Sequence, residues 1–580
     1  MPLTPDMPPG GAVPPGSPPA RRPLPAVAFD LARVPEVPLD GLLRRAAAAA
    51  PDRVAVRTPA GTTTYAELDG LADSCARALT GAAGRSATVV GLAASLDPSF
   101  AVVYYGAIRA GHVVALVNPH LRGDALAHVL SAAGVTVAVA PPEVAERIAQ
   151  VRGRLPNLRD VLSPDAFATG SAASGRGAPG RGTSGGRALG GRATSDGRAA
   201  DGRPPDEHGP VLRPDAVACV QFTSGTTGEP KAVQLTHRNL VVNAAQIAAV
   251  HGLDGDAVTL NHLPLYHPMH LNAAVYAGAT QVLSPSPDPA AAIEAANRHG
   301  ATHFYSLPVR LAHLAADPRL PGLRLDTVSA VFSGGSALLP AQARTLGAHF
   351  GIPVLQGYGL AETSPLTHGE PPARPGPGSV GPVVPGTDCR VVDVETRAPL
   401  PAGHNGEVQV RGPQLMRGYL GESAPAVDAD GWFSTGDIGH QDEEAYLYLV
   451  DRIKDVFKYE NWLVSPTEIE QVLITHPAVR DCAVVDHPEP FSGAVAHAFV
   501  VLDEAAGPPD PAELTAHVND QVPYYQHIKY LDVVDRVPRS PNGKILRRAL
   551  RARVADTDPA GRVHAGAADP PHPDPTGDNS

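Results

Sequence analysis

The sequence predicts an α/β fold with a large N-terminal domain built on parallel-rich sheets and a small C-terminal α+β domain. Helix-like and strand-like patterns alternate through most of the chain, as in residues 65–82 followed by 88–94. Such alternation is typical of parallel sheets. From residue 452 the pattern restarts as helix, strand, strand, helix and strand. At 580 residues the chain is long enough for two or three structural units.

The amino-acid composition indicates where these structural units begin and end. Residues 1–25 and 556–580 are rich in Pro, Asp or Gly and offer little to bury, so we expect both to be disordered. The segment 165–212 is dominated by Gly, Arg, Ser and Ala, which predicts a disordered surface insertion. The folded parts are then 26–450 and 451–555. Because the insertion lacks interleaved aromatic residues, a solvated linker is favoured over an RNA-binding segment.

Charge and hydropathy exclude several function classes. The net charge is −12, with 47 basic and 59 acidic residues, so we expect no nucleic-acid partner. The longest apolar stretch, 100–117, carries Arg109 and His112 and is interpreted as buried core rather than a membrane span. With a Pro-rich N-terminus unlike a signal peptide, the protein is predicted to be cytoplasmic. The cysteines are too dispersed for a disulfide framework or a zinc site, and we expect ordinary core residues at Cys75, Cys219, Cys389 and Cys482.

Lysine is scarce in this chain. Only five of the 47 basic residues are lysine. Lysine offers a compact, flexible ammonium that arginine does not. We therefore expect function at several of these positions, which are Lys231, Lys454, Lys458, Lys529 and Lys544.

The strongest local pattern lies in residues 217–237, where a strand-like run enters a loop rich in Gly, Thr and Ser. Glycines allow backbone N–H groups to converge on phosphate oxygens, and hydroxyls add donors. Lys231 supplies charge, and a helix-like run is expected after it. The spacing is not that of a Walker A loop, and a simple turn is the alternative. The predicted phosphate-binding residues are Thr223, Ser224, Gly225, Thr226, Thr227, Gly228 and Lys231.

This loop resembles that of the acyl-activating, adenylate-forming enzymes, which include acyl-CoA synthetases, firefly luciferase and the adenylation domains of nonribosomal peptide synthetases. Their loop has the pattern [ST]-[ST]-G-T-T-G-x-P-K-G, and only the last position departs, where this chain has Ala232. Three further matches extend the resemblance over residues 30–550. It implies a ligase that joins a small-molecule acid to AMP with release of pyrophosphate, using ATP and Mg²⁺, and passes the acyl group to an acceptor.

The second match is the segment 356–365, QGYGLAETSP. In the family it contacts adenine and phosphates, and its acid helps to hold Mg²⁺, a hard cation that prefers oxygen ligands. The resemblance thus implies Glu362 and Thr226 as metal ligands and Tyr358 as a surface for adenine. A turn with a solvated acid is the alternative. The implied nucleotide contacts here are Gly335, Gln356, Gly357, Tyr358, Gly359, Glu362 and Thr363.

The third and fourth matches lie nearer the C-terminus. FSTGDIG and DRIKD supply Asp437 and Arg452, which by resemblance bind the ribose hydroxyls. Lys454 corresponds to the hinge about which the family's mobile C-terminal domain turns. Lys544, in PRSPNGK, corresponds to the lysine that contacts the carboxylate and the α-phosphate. Positive charge is needed there because one anion attacks another. Lys544, Lys231 and His267 are therefore the predicted catalytic residues.

Two departures from the family bear on substrate and acceptor. After LPLYH, which ends at His267, nine residues precede AGAT where relatives have about fourteen, so the acid pocket must be rebuilt. This favours a small or medium acid over a long fatty acid. Asn461 stands where CoA-dependent relatives have Gly, beside the pantetheine route. Coenzyme A is the leading acceptor; a free acyl carrier protein, an amine, or activation of a non-carboxylic acid are the alternatives.

Overall fold

The computed structural model describes most of the chain, in ten ranges, the longest gap between them being 169–211. The described residues are 21–84, 86–93, 97–168, 212–223, 230–263, 267–460, 462–489, 492–503, 509–539 and 545–556. The predictions for residues 1–20, most of the insertion, the centre of the phosphate loop, Asn461, Lys544 and the C-terminal tail lie outside them.

The strands alternate with helices along the chain, as the sequence predicts. In chain order the strands are β1 (Val54–Thr58), β2 (Gly61–Thr64), β3 (Val89–Ala93), β4 (Val113–Val117), β5 (Val137–Val139), β6 (Asp160–Leu162), β7 (Val217–Phe222), β8 (Ala232–Thr236), β9 (Val258–Asn261), β10 (Thr280–Leu283), β11 (His303–Ser306), β12 (Ala330–Gly334), β13 (Val354–Gly359), β14 (Leu366–Gly369), β15 (Asp388–Val392), β16 (Gly406–Arg411), β17 (Gly418–Tyr419), β18 (Phe433–Gln441), β19 (Leu447–Arg452), β20 (Phe457–Tyr459), β21 (Trp462–Val464), β22 (Val479–Glu489), β23 (Gly493–Leu502) and β24 (Ile528–Val533). The helices are α1 (Asp40–Ala49), α2 (Tyr65–Ala83), α3 (Pro98–Arg109), α4 (Gly123–Ala132), α5 (Pro142–Gln150), α6 (Asp165–Ala168), α7 (His237–His251), α8 (Met269–Ala277), α9 (Pro289–His299), α10 (Pro308–Ala315), α11 (Pro340–Phe350), α12 (Pro466–Leu473), α13 (Pro511–Asn519) and α14 (Arg547–Asp556).

Two large sheets organise the N-terminal domain. One has the order β14-β13-β12-β11-β9-β10-β1-β2 and the other β17-β8-β7-β4-β3-β5-β6. The inner pairs are parallel, whereas the outermost pairs β13–β14 and β1–β2 of the first sheet are antiparallel. In the second sheet β8 is antiparallel to both β7 and β17. Parallel strands direct their carboxyl ends to one edge, where ligand-binding loops of α/β proteins gather.

The small C-terminal domain confirms the predicted α+β class. Strands β22 and β23 form a long antiparallel pair, β24 joins β23 in parallel, and β20 and β21 complete the sheet. Helices α12 and α13 pack on it around a separate core. Strands β15, β16, β18 and β19 form an antiparallel sheet that precedes this domain in the chain. All five elements predicted after residue 452 are present in the predicted order.

Three local predictions need correction. The helix expected directly after Lys231 is a strand, β8, because its backbone pairs with β7 and β17, and its residues Val233 and Leu235 are buried on the sheet face. The end of the predicted disordered segment 1–25 is ordered, since Arg21 donates to the carbonyl of Phe350 over 2.7 Å. The insertion also starts later than predicted, because Phe167 of α6 is buried in the core.

The predicted core positions of the long apolar stretch and of three cysteines are confirmed. The stretch 100–117 becomes α3 and β4 in the core, where Arg109 is buried and ion-paired with Asp40, Asp69 and Asp73. Cys75, Cys219 and Cys482 are buried, whereas Cys389 is only partly buried against the core; all four are free thiols. Within the described ranges no helix has the length and hydropathy needed to cross a bilayer.

Candidate active site

The base of the predicted phosphate loop is closed by two residues. Strand β7 ends before Thr223, and β8 begins after Lys231. The Thr223 amide donates to the Lys231 carbonyl over 3.0 Å, and the Lys231 amide donates to Thr223 Oγ1 over 3.1 Å. Ser224, Gly225, Thr226, Thr227 and Gly228 lie outside the described residues, so their part in phosphate binding stays a prediction.

Lys231 and Glu362, predicted for phosphate and metal, are linked through one tyrosine. Lys231 Nζ lies 4.6 Å from the centre of the Tyr419 ring and 2.9 Å from Glu422 Oε1. The Tyr419 hydroxyl donates to Glu362 Oε1 over 2.9 Å. Burial and the neighbouring Glu362 carboxylate raise the pKa of Tyr419, so its hydroxyl stays a donor at neutral pH. The fold thus brings the Lys231 ammonium to the ring of Tyr419 and the Glu362 carboxylate to its hydroxyl.

The chemistry of Glu362 fits a bound Mg²⁺. Its side chain is only 8% exposed, yet among the described residues Tyr419 is the hydrogen-bond partner of its carboxylate, which leaves the second oxygen for another ligand. Mg²⁺ is usually held by one or two carboxylates together with substrate phosphates. No cluster of three or more His, Cys, Asp or Glu side chains suited to a metal occurs in the described part of the chain.

The predicted ribose site is assembled from three side chains, of which Asp437 and Tyr358 are buried and Arg452 is 37% exposed. Asp437 and Arg452 face each other across β18 and β19, with Arg452 Nε 2.7 Å from Asp437 Oδ1. The Tyr358 hydroxyl donates to the other carboxylate oxygen. Asp437 is 5% exposed. Tyr358 is itself buried, with His368 beside its ring at 5.8 Å, so adenine stacking on Tyr358 stays a prediction.

The segment predicted to meet adenine is held by side chain to backbone hydrogen bonds. Gln356 Oε1 accepts from the amide of Leu338 over 2.5 Å, on the loop that follows Gly335. Glu370 accepts from the amides of Gln356 and Gly376. Burial raises the pKa of Glu370 to about 7. These contacts fix the backbone of β13 at its carboxyl end.

Close approach requires a glycine at position 359, and position 357 is tightly packed. A Cβ on Gly359 would lie 2.0 Å from the carbonyl oxygen of Pro365, and one on Gly357 would lie 3.1 Å from Leu366. Both positions lie in β13 and pair with β14, which returns antiparallel to it; Gly359 is the one next to the connection. The backbone therefore passes Glu362 and the buried Thr363 in a tight connection.

The predicted acid pocket adjoins helix α8. His267 is exposed and stands immediately before this helix, which has nine residues. His270, one turn further on, is buried and stacks on Tyr305 at 3.9 Å. Burial lowers the pKa of His270 to about 3, so its imidazole is neutral. The helix is short, in line with the shortened sequence, and the roles of His267 and the pocket stay predictions.

The hinge and the catalytic lysine belong to the small-domain side. Lys454 lies in the turn between β19 and β20, where Arg551 donates to its carbonyl over 3.4 Å. Lys544 lies outside the described residues, although the residues on either side of its loop, Arg539 and Ile545, pair with each other. The hinge and catalytic roles of these two lysines stay predictions.

Sequence reasoning missed Tyr419, Glu422 and Glu370. Tyr419 lies in the two-residue strand β17, whose partner is β8. Nothing in the local pattern RGYLGES marks Tyr419 or Glu422, because their contact with Lys231 depends on sheet pairing between distant segments. Glu370 follows a buried strand, and a carboxylate directly after such a strand was the available signal.

Comparison with known proteins identifies the family. The model for AMP-binding enzymes matches residues 43–420, and the model for their C-terminal domain matches residues 468–544. A 4-coumarate–CoA ligase 3 from Oryza sativa subsp. japonica is 36% identical over 379 residues, covering 62% of this chain and 68% of the relative. A 4-coumarate–CoA ligase 5 from the same organism is 31% identical over 516 residues, covering 86% of this chain and 91% of the relative.

Solved structures agree on the fold. ATP-bound MatB from Rhodopseudomonas palustris superposes with a TM-score of 0.76 at 27% identity, covering 90% of this chain and 99% of that one. The anthranilate CoA ligase AuaEII reaches 0.78 at 22% identity, with 91% and 99% covered, a likeness of fold. Both domains and the predicted ligase chemistry are thereby confirmed, and the chain belongs to the family of AMP-binding, adenylate-forming enzymes.

Proposed function

We propose that this enzyme activates a small or medium carboxylic acid as its adenylate and transfers it to coenzyme A. The observation that carries the proposal is the arrangement of Lys231 and Glu362 around Tyr419 together with the Asp437–Arg452 pair, which suits the phosphate and ribose ends of one nucleotide. The names of the curated relatives, 4-coumarate–CoA ligases, support coenzyme A as acceptor over a carrier protein or an amine. A cytoplasmic location stays a prediction.

In the first half-reaction a carboxylate oxygen of the acid attacks the α-phosphorus of ATP. The new bond joins acid and AMP, the bond to the bridging oxygen breaks, and pyrophosphate leaves. Lys231, and Lys544 by resemblance, stabilise the negative charge that accumulates. When bound through Glu362, Mg²⁺ would offset the charge of the triphosphate. Asp437, backed by Arg452, would accept hydrogen bonds from the ribose hydroxyls.

In the second half-reaction the thiol of coenzyme A, after losing its proton, attacks the acyl carbonyl. A thioester forms and AMP departs with the electron pair of the broken bond. We propose that the small domain turns about Lys454 between the two steps, which withdraws Lys544 from the cleft. One cleft then serves two reactions in sequence.

The substrate is tested by a pyrophosphate-release screen over short, branched, aromatic and long acids, each with and without coenzyme A. Hydroxycinnamic acids belong in the screen because the relatives are named for 4-coumarate. We expect turnover of a small or medium acid and a thioester product. Fast turnover of palmitate would overturn the pocket argument, and adenylate accumulation without thioester would overturn the acceptor.

A further inference from the structure

Tyr419 occupies the space between two groups of opposite charge that belong to different segments. Its backbone is fixed in β17, with Tyr419 opposite Val233 of β8, the strand that begins directly after Lys231. The next amide, of Leu420, donates to the Ala232 carbonyl over 2.8 Å. The aromatic ring is therefore tied by backbone hydrogen bonds to the strand that carries Lys231.

The same strand is tied to the segment of Glu362. The amide of Met416, just before β17, donates to the Glu362 carbonyl over 2.8 Å. The Tyr419 hydroxyl then donates to the Glu362 carboxylate over 2.9 Å. Two hydrogen bonds from one short segment thus fix both the backbone and the side chain of Glu362.

Lys231 is held more loosely. Its ammonium lies over the Tyr419 ring at 4.6 Å and pairs with Glu422 at 2.9 Å, while the Lys231 side chain remains 53% exposed. A cation over an aromatic face is attracted by the ring quadrupole. An exposed ion pair is weak and readily exchanged. The ring can therefore keep Lys231 in place while Glu422 gives way to a phosphate.

We propose that Tyr419 is a positioning residue that sets the placement of Lys231 against Glu362, so that phosphate and Mg²⁺ are bound together. This inference rests on the proposed function, and it assigns the hydroxyl and the ring separate tasks. The hydroxyl orients the carboxylate that would bind Mg²⁺, as partners of metal-binding carboxylates commonly do. The ring supports the ammonium that meets the phosphates.

The first experiment measures binding of a fluorescent ATP analogue as a function of Mg²⁺ concentration. Tyr419→Phe keeps the ring and removes the hydroxyl, so half-maximal binding should need about tenfold more Mg²⁺, with binding in EDTA unchanged. Tyr419→Leu removes both and should weaken binding in EDTA as well. An unchanged Mg²⁺ dependence in Tyr419→Phe would overturn the proposal.

Tyr446→Phe is the matched control. Tyr446 also donates from its hydroxyl, to the Arg374 carbonyl over 2.7 Å, and also carries a cation over its ring, with Arg374 at 5.7 Å. It lies in a hairpin outside the candidate site, and the Mg²⁺ dependence of this variant should equal that of the unaltered enzyme. In a Glu362→Gln background, Tyr419→Phe should have no further effect, because coupled residues are not additive.

A second measurement is made on the unaltered enzyme, and a variant serves only to assign one signal. Only five lysines are present, so ¹³C-lysine NMR spectra are simple. The terminal methylene of Lys231 should resonate upfield because of the Tyr419 ring current, and Lys231→Arg assigns that signal. Absence of such a signal overturns the arrangement. If the unaltered enzyme binds no ATP analogue, the proposed function fails instead, which distinguishes the two failures.

Discussion

The two ends of the candidate nucleotide site differ in how far their charged side chains are exposed to solvent. At the ribose end, Asp437 is 5% exposed, and Arg452 and Tyr358 already satisfy its carboxylate. At the phosphate end, the side chains of Lys231 and Glu422 are 53% and 42% exposed and form a direct ion pair at 2.9 Å on the surface. Buried charges must be partnered in advance because desolvation is costly. Exposed pairs contribute only about 0–1 kcal/mol and can be exchanged.

The two ends also differ in which side chains must be oriented before ATP binds. The ribose is neutral and is recognised by geometry, so its acceptor is oriented beforehand. The triphosphate is strongly charged, and it can displace Glu422 from Lys231. We therefore expect changes at the buried Asp437 to alter both stability and affinity, and changes at the exposed Lys231 and Glu422 to alter binding or rate alone.

Asp437→Ala should have the largest effect, lowering both ATP affinity and the melting temperature. It leaves the Arg452 guanidinium and the Tyr358 hydroxyl without their shared acceptor. A hydrogen bond to a charged group contributes roughly 1.5–3 kcal/mol, so losing the acceptor of two ribose hydroxyls should lower ATP affinity by about 100-fold or more. The melting temperature should also drop, because the buried Tyr358 hydroxyl loses its acceptor. Fluorescent-ATP binding and thermal unfolding measure both.

The control for this change is Asp388→Ala. Asp388 pairs with Arg411 at 2.8 Å, but both side chains are about half exposed. Its loss should change neither affinity nor melting. If Asp437→Ala bound ATP as tightly as the unaltered enzyme, the ribose assignment would be wrong.

Lys231→Met should have the second largest effect. It should lower the rate of adenylate formation and leave stability unchanged, unlike Asp437→Ala. Losing one charge-assisted contact to the transition state costs about 100-fold in rate. Stability should change by less than about 0.5 kcal/mol, as for other surface substitutions. Pyrophosphate exchange and thermal unfolding are measured on the same sample.

Arg154→Met is the matched control for Lys231→Met. The Arg154 side chain is 55% exposed and pairs with Asp124, away from the site. It should leave both exchange and melting unchanged. A large drop in melting temperature for Lys231→Met would show that the phosphate end is as rigidly built as the ribose end.

Glu422→Gln should have the smallest effect, in the opposite direction. Without its carboxylate partner Lys231 is free for phosphate, so the KM for ATP should fall by about two- to threefold, more at low salt. Glu395→Gln, which loses an exposed pair with Lys458, serves as control. A higher KM in Glu422→Gln would mean that Glu422 assists ATP binding instead of competing with it.

Much of the fold was predictable because its signals are local. The periodicity of α2, the strand β3 and the order of elements in the small domain follow from apolar spacing and turn residues. The error at β8 has a physical cause: a short apolar run fits a strand or a helix equally well. Only pairing with β7 and β17 decides it.

By itself, the sequence determined the α/β class, the two domains, the loop from Thr223 to Lys231 and the segments that carry Glu362, Asp437 and Arg452. Each depends on residues close together in the chain. Tertiary structure alone decided that Tyr358 would meet Asp437 and that Tyr419 and Glu422 would meet Lys231. These contacts join distant segments through sheet pairing, which no local pattern encodes.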